Sequence, residues 1–352
     1  MRRVVHGGVT PEELSAALAA GRRLFDLSAN LNPYGPHPAV VETAGAAPLE
    51  RYPLADAAGL RQAGARKLGV EPGEILAGNG SSELIYLVCR ALGEGGRCLI
   101  FGPTFGEYAA AAKAAGMSVF EAPHPGGRAG AAEPARVIAE VGPSLVFLCN
   151  PNNPTGQLCT REEVERLGQA VAAGGGRLVV DEAYMPFAWP EEEAATPGGG
   201  LMVLRSLTKL HAVPGLRLGF LLGYRADIAA VEAQQPPWSV SAPAAAAGFA
   251  ALDLDDFCRE SVQRVAATRA RLLDALEAAS FAVKPSLGNF LMVEVGDGGR
   301  FRAAMLERGF VVRDCASFGM PAWVRIAVTH EALMESVLAA MKEVRGWLAR
   351  GS

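Results

Sequence analysis

The sequence predicts an α/β fold: a mostly parallel central sheet flanked by helices, followed by a smaller α+β domain. Two observations predict it. Between about residues 75 and 225, short apolar runs alternate with amphipathic helical stretches, and strands that apolar need cover on both faces. Beyond a Pro-rich break at 236–245, PPWSVSAPAA, the pattern changes to a long helical region and then scattered strands. A chain of 352 residues, 50% of them hydrophobic, can bury two such units. The expected division is an N-terminal arm (1–40) packing on the small domain, a large domain (41–235) and a small domain (236–352).

In chain order, TPEELSAALAAG opens the arm. Thr10 is placed to cap a helix, Pro11 sits at its first position, Glu13 closes a capping box and Gly21 stops it. The segment SANLNPYGPHP (28–38) is extended, because Pro33 and Pro36 bias their predecessors away from helix. Six strands follow in the apolar runs CLIF (98–101), SVFEA (118–122), LVFLC (145–149), RLVVD (177–181), LMVL (201–204) and GFLLG (219–223). Between them lies TREEVERLGQAVAAG, with a second capping box in Thr160 and Glu163. EEEAATPGGG (191–200) is the nearest thing to a linker. The small domain reads as helix over 246–280, then VKPSLGNFLMVEV, a strand at 310–313, WVRIAV (323–328) and a last helix over 331–348.

Composition narrows the function. A net charge of −4 and a pI near 5.8 argue against nucleic acid as a partner. No apolar run approaches the roughly 18 residues of a membrane span. The start, MRRVVHGG, lacks the apolar stretch of a secretory signal. Six cysteines without C-x-x-C spacing read as reduced, buried thiols of a cytoplasmic protein rather than a metal site.

Ligands on such sheets sit beyond the carboxyl ends of the strands, so the polar residues after each run are the candidates. In RSLTKLHAVPGLRLGF (205–220), Lys209 has Ser206 before it and Arg217 after it. A desolvated lysine attacks carbonyls, and a hydroxyl converging with a guanidinium suits a phosphate. Asp181 ends RLVVD, where it can cap a helix or pair with a cationic ring nitrogen. NPNNPTG (150–156) is a tight turn that can aim an Asn amide at a phenolic oxygen. In AGNGSSELIYLV (77–88), Ser81 and Ser82 open a helix, either as a plain cap or as a phosphate site. Phosphate, aldehyde, phenolic oxygen and ring nitrogen together describe pyridoxal 5′-phosphate.

GNGSSE, PTFGEY, NPNNPTG, DEAY, SLTK and GLRLGF, in that order, resemble the fold-type-I aminotransferase family over nearly the whole chain. The resemblance implies that Lys209 carries the cofactor, Asp181 pairs with its ring nitrogen, and Tyr184 and Asn153 bond its phenolic oxygen. It implies that Ser81, Ser82, Ser206 and Arg217 hold the phosphate and that Phe105 stacks on the ring. Tyr52, in ERYPLAD, resembles a tyrosine that reaches the neighbouring subunit's phosphate, which implies a homodimer. Arg325 and Arg313 resemble contacts for two substrate anions. Three segments, HGG at 6–8, SANLNPYG and QQPPWSVS, are similar to the branch that decarboxylates O-phospho-L-threonine in cobalamin biosynthesis. That branch implies His6, Asn32 and Asn153 as further substrate contacts. Histidinol-phosphate or aromatic aminotransferases share the core motifs and remain the alternative. A non-catalytic regulator built on the same fold would carry an added basic segment, which the sequence lacks.

Overall fold

A computed structural model of the protein describes residues 6–126, 132–188 and 195–350. Residues 191–194 of the linker-like EEEAATPGGG lie outside the described residues. The arm begins with the helix Pro11–Ala19, whose Thr10 and Glu13 exchange both capping-box bonds. It ends in a short strand, β1 (Phe25–Asp26).

The large sheet has seven strands: β2 (Ile75–Gly78), β3 (Arg97–Gly102), β4 (Ser118–Pro123), β5 (Leu145–Cys149), β6 (Arg177–Asp181), β7 (Leu201–Ser206) and β8 (Gly219–Leu222). Their order is β2-β8-β7-β6-β5-β3-β4, and β8 alone runs against its neighbours. The pleat explains the apolar runs. In β5, Val146 and Leu148 join one buried layer, while Leu145, Phe147 and Cys149 join the other. Each such side chain contributes about 1.5–3 kcal/mol on burial, so polar residues collect past the strand ends.

The small domain holds β9 (Val283–Lys284), β10 (Phe290–Glu294), β11 (Phe310–Val311), β12 (Arg313–Asp314) and β13 (Trp323–Ala327). Four of these form an antiparallel sheet in the order β12-β13-β10-β9. β11 pairs instead with β1, setting Phe25 against Phe310. The arm is also clamped by Arg302, which donates to both carboxylate oxygens of Glu13 at 2.7 and 3.1 Å.

Three sequence expectations change. The run 310–313 is not one strand, because the chain switches sheets at Val312. The long helix over 246–280 is two, Ala242–Leu252 and Asp255–Ala278, parted at Asp253 and Leu254. The first of these packs on Pro38–Gly45 and Ala58–Leu68. β2 was not expected; among the described residues its four residues have β8 as their one strand partner.

Candidate active site

The carboxyl ends of β2, β3, β5, β6 and β7 surround a cavity of about 530 Å³. The order of the strands reverses between β3 and β5, the position where open α/β sheets bind ligands. Lys209 stands in the single helical turn Leu207–Leu210 after β7, with Nζ 5.9 Å from the centre of the Tyr184 ring. Asp181, at the end of β6, is buried on the cavity floor. Burial raises its carboxyl, while a Tyr108 hydrogen bond, the Ala183 N–H and the Lys209 charge oppose that rise.

One corner of the cavity gathers donors of the kind that suit a phosphate. Ser81 and Ser82 begin the helix Gly80–Leu92 at the end where its N–H groups are free. Ser206, its hydroxyl 2.9 Å from that of Thr208, and Arg217 complete the corner. Gly80 has φ +78°, and a Cβ there would lie 2.3 Å from Arg217 Nη2. Gly80→Ala is therefore expected to push the guanidinium out of the corner and weaken binding of a phosphate-bearing cofactor by about tenfold or more. Absorbance titration of the variant with pyridoxal 5′-phosphate checks this, and an unchanged Kd refutes it.

Arg313, Arg325 and His6 line the same cavity. Arg313 and Arg325 face each other directly in the β12–β13 register. Opposed residues of an antiparallel pair share a face, and like charges there are unfavourable. Both guanidiniums are buried, which lowers their pKa, and the Arg325 charge lowers that of Arg313 further. Such an arrangement suits anions placed between them. Arg325 donates through Nη1 to Asn153 Oδ1 and through Nη2 to the Ser28 carbonyl at 2.6 Å. The first bond leaves the Asn153 amide N–H₂ to donate into the cavity. Arg313 donates to Ser317 Oγ at 2.7 Å and to the His6 carbonyl at 3.3 Å. The His6 ring, over the mouth, is 2.8 Å from Glu107 Oε1.

The model of class I and II aminotransferases matches residues 22–341. The chain belongs to the class I and II aminotransferase family. Among its relatives, histidinol-phosphate aminotransferase 2 of Archaeoglobus fulgidus is 33% identical over 347 residues, 96% of each chain. Threonine-phosphate decarboxylase of Salmonella typhimurium is 34% identical over 358 residues, also 96% of each. Histidinol-phosphate aminotransferase from Sinorhizobium meliloti, solved with pyridoxal-5′-phosphate, superposes with a TM-score of 0.84 at 25% identity, covering 97% of this chain and 96% of that one.

The cofactor of this aminotransferase-family chain is pyridoxal 5′-phosphate. Its residues fit that group: an anion corner, a buried carboxylate, an amine and an Asn amide converge on one cavity. Of the residues singled out in the sequence, Ser81, Ser82, Phe105, Asn153, Asp181, Tyr184, Ser206, Lys209, Arg217, Arg313, Arg325 and His6 all line it. Two do not. Tyr52 lies outside this cavity, exposed and 5.0 Å from the Trp238 ring. Asn32 lies outside the cavity's lining as well: its Nδ2 donates to the Leu210 carbonyl at 2.8 Å and its Oδ1 accepts the Tyr34 N–H at 3.1 Å. Its backbone N–H also donates to the Lys209 carbonyl at 3.0 Å, so it braces the turn that carries Lys209. The neighbour that the sequence reading passed over is Asn30. It lines the cavity at 1% exposure, and neither end of its amide has a partner among the described residues. An unsatisfied buried amide costs about 1–3 kcal/mol, so this one calls for a partner such as a ligand or an ordered water. The two asparagines differ only in the direction the loop gives them, which spacing alone does not reveal. Thr208 and Tyr108 were likewise missed, although both lie inside quoted motifs.

Proposed function

We propose that the protein decarboxylates O-phospho-L-threonine to aminopropanol phosphate, using pyridoxal 5′-phosphate held by Lys209. The observation that carries this reading is the opposed pair Arg313 and Arg325, supplemented by His6 at the mouth. A substrate with a carboxylate and a phosphate neutralises both guanidiniums at once. Arg325 takes the carboxylate; Arg313, His6 and the orphaned Asn30 amide take the phosphate. The bound cofactor supplies a sink for the electron pair left at the substrate α-carbon. Arg325 would orient the carboxylate so that its bond to the α-carbon can break and CO₂ depart. The Lys209 ammonium would then deliver a proton to the α-carbon, and Asp181 would be the carboxylate that holds a protonated ring nitrogen.

A second reading, transamination of histidinol phosphate, is favoured by the 33% identity to the Archaeoglobus fulgidus relative. It makes the same demands on the cofactor residues, and its substrate phosphate suits the same wall. Two assays separate the readings. Phosphothreonine without any keto acid is expected to release CO₂. Histidinol phosphate with 2-oxoglutarate is expected to yield no glutamate. Turnover in the second assay alone overturns the decarboxylase reading.

The working unit proposed is a homodimer sharing its sites. Tyr52 is 81% exposed, on a segment that also exposes Leu49 and Leu54, and it does not reach its own cavity. An apolar patch of that kind fits a second copy. Mixing Tyr52→Ala and Lys209→Ala protomers is expected to restore activity that neither variant has alone. Absence of recovery after verified subunit exchange refutes the shared site.

A further inference from the structure

Tyr108 has no part in the chemistry above, yet its placement is specific. Its side chain is fully buried. The ring stacks on Phe147 with centroids 4.9 Å apart and planes 6° apart, and meets Phe105 edge-on at 5.6 Å. A buried phenol needs a hydrogen-bond partner. This one donates to Asp181 Oδ2 at 2.7 Å, while Asp181 Oδ1 accepts the Ala183 N–H at 3.0 Å. The two donors fix the carboxylate plane and leave lone pairs on both oxygens for the cavity.

We infer that Tyr108 is a positioning residue for the cofactor, acting through Asp181: its hydroxyl sets how strongly that carboxylate attracts the proton of the pyridine nitrogen. The inference rests on the proposed pairing of Asp181 with that nitrogen. A donor bonded to a carboxylate makes it less basic. The proton then stays on the ring nitrogen, and the ring keeps its positive charge. The hydroxyl remains a donor at any working pH, since burial and the Asp181 charge push it well above the ordinary phenol range. The other titratable groups facing Asp181 are Cys149 from β5, Lys209 after β7 and Glu182 next in the chain. Burial pushes the Cys149 thiol up to about 12, so it adds no charge.

The test is the pH titration of the visible absorbance of the cofactor-loaded protein. Tyr108→Phe keeps the ring and removes only the donor. Asp181 becomes more basic, the ring loses positive charge, and the midpoint of the titration is expected to rise by about half a pH unit or more. Incorporating 3,5-difluorotyrosine at position 108, a stronger donor, is expected to move the midpoint down. Phe147→Leu disturbs the stack and keeps the donor, and should leave the midpoint in place. An unmoved midpoint in Tyr108→Phe overturns the inference; should that variant fail to fold, an unmoved midpoint in the fluorinated protein does the same. Asp181→Asn locates any failure. If it alters the titration while the Tyr108 changes do not, only this inference falls. If it too is silent, the pairing of Asp181 with the ring nitrogen falls as well.

Discussion

Lys209→Ala is expected to lower kcat by about 10²- to 10⁴-fold, the range attached to losing a positioned proton donor and acceptor. The protein should still bind pyridoxal 5′-phosphate, because the corner formed by Ser81, Ser82, Ser206 and Arg217 does not depend on the lysine. The visible band that reports covalent attachment should vanish. Both readings of the reaction need this amine, so the variant tests what they share. Activity within tenfold of the parent protein, or an unchanged band, removes the foundation of both.

The second large effect is expected at Arg325. Its guanidinium is buried and tethered to Asn153 and to the Ser28 carbonyl, while Nε has no partner among the described residues. Arg325→Ala removes a desolvated charge partner, a loss of about 2–5 kcal/mol, or roughly 30- to 4,000-fold in kcat/KM. It also releases Asn153, so part of the loss should appear in kcat. Arg325→Lys is expected to recover little, because an ammonium cannot fork between two acceptors and a carboxylate. Steady-state kinetics with the preferred substrate decides this. A variant that melts earlier but retains kcat/KM would give Arg325 a purely structural place.

Much of this was legible in the sequence, for identifiable reasons. β3 to β8 announce themselves because two-sided burial leaves few polar residues in them, so strand ends are also composition boundaries. That places Asp181, Asn153 and Lys209 at the cavity before any coordinates exist. Arg313 and Arg325 were visible as isolated cations in apolar strands. What was hidden depends on direction. Asn30 and Asn32 share a loop and a residue type, and only the turn geometry sends one inward and the other to the Leu210 carbonyl. Tyr108 was hidden because a tyrosine one helical turn past Phe105 reads as core packing, which it also is. β2 was hidden because four residues are too few to show a period.

The N-terminal arm touches both halves of the molecule at once. His6 reaches Glu107 of the large domain with its ring and Arg313 of the small domain with its carbonyl. The same few residues are also held by the Gly8 N–H, which donates to Ser28 Oγ at 2.6 Å. Loss of this strap would therefore cost the two halves a shared tie as well as part of the cavity's lining.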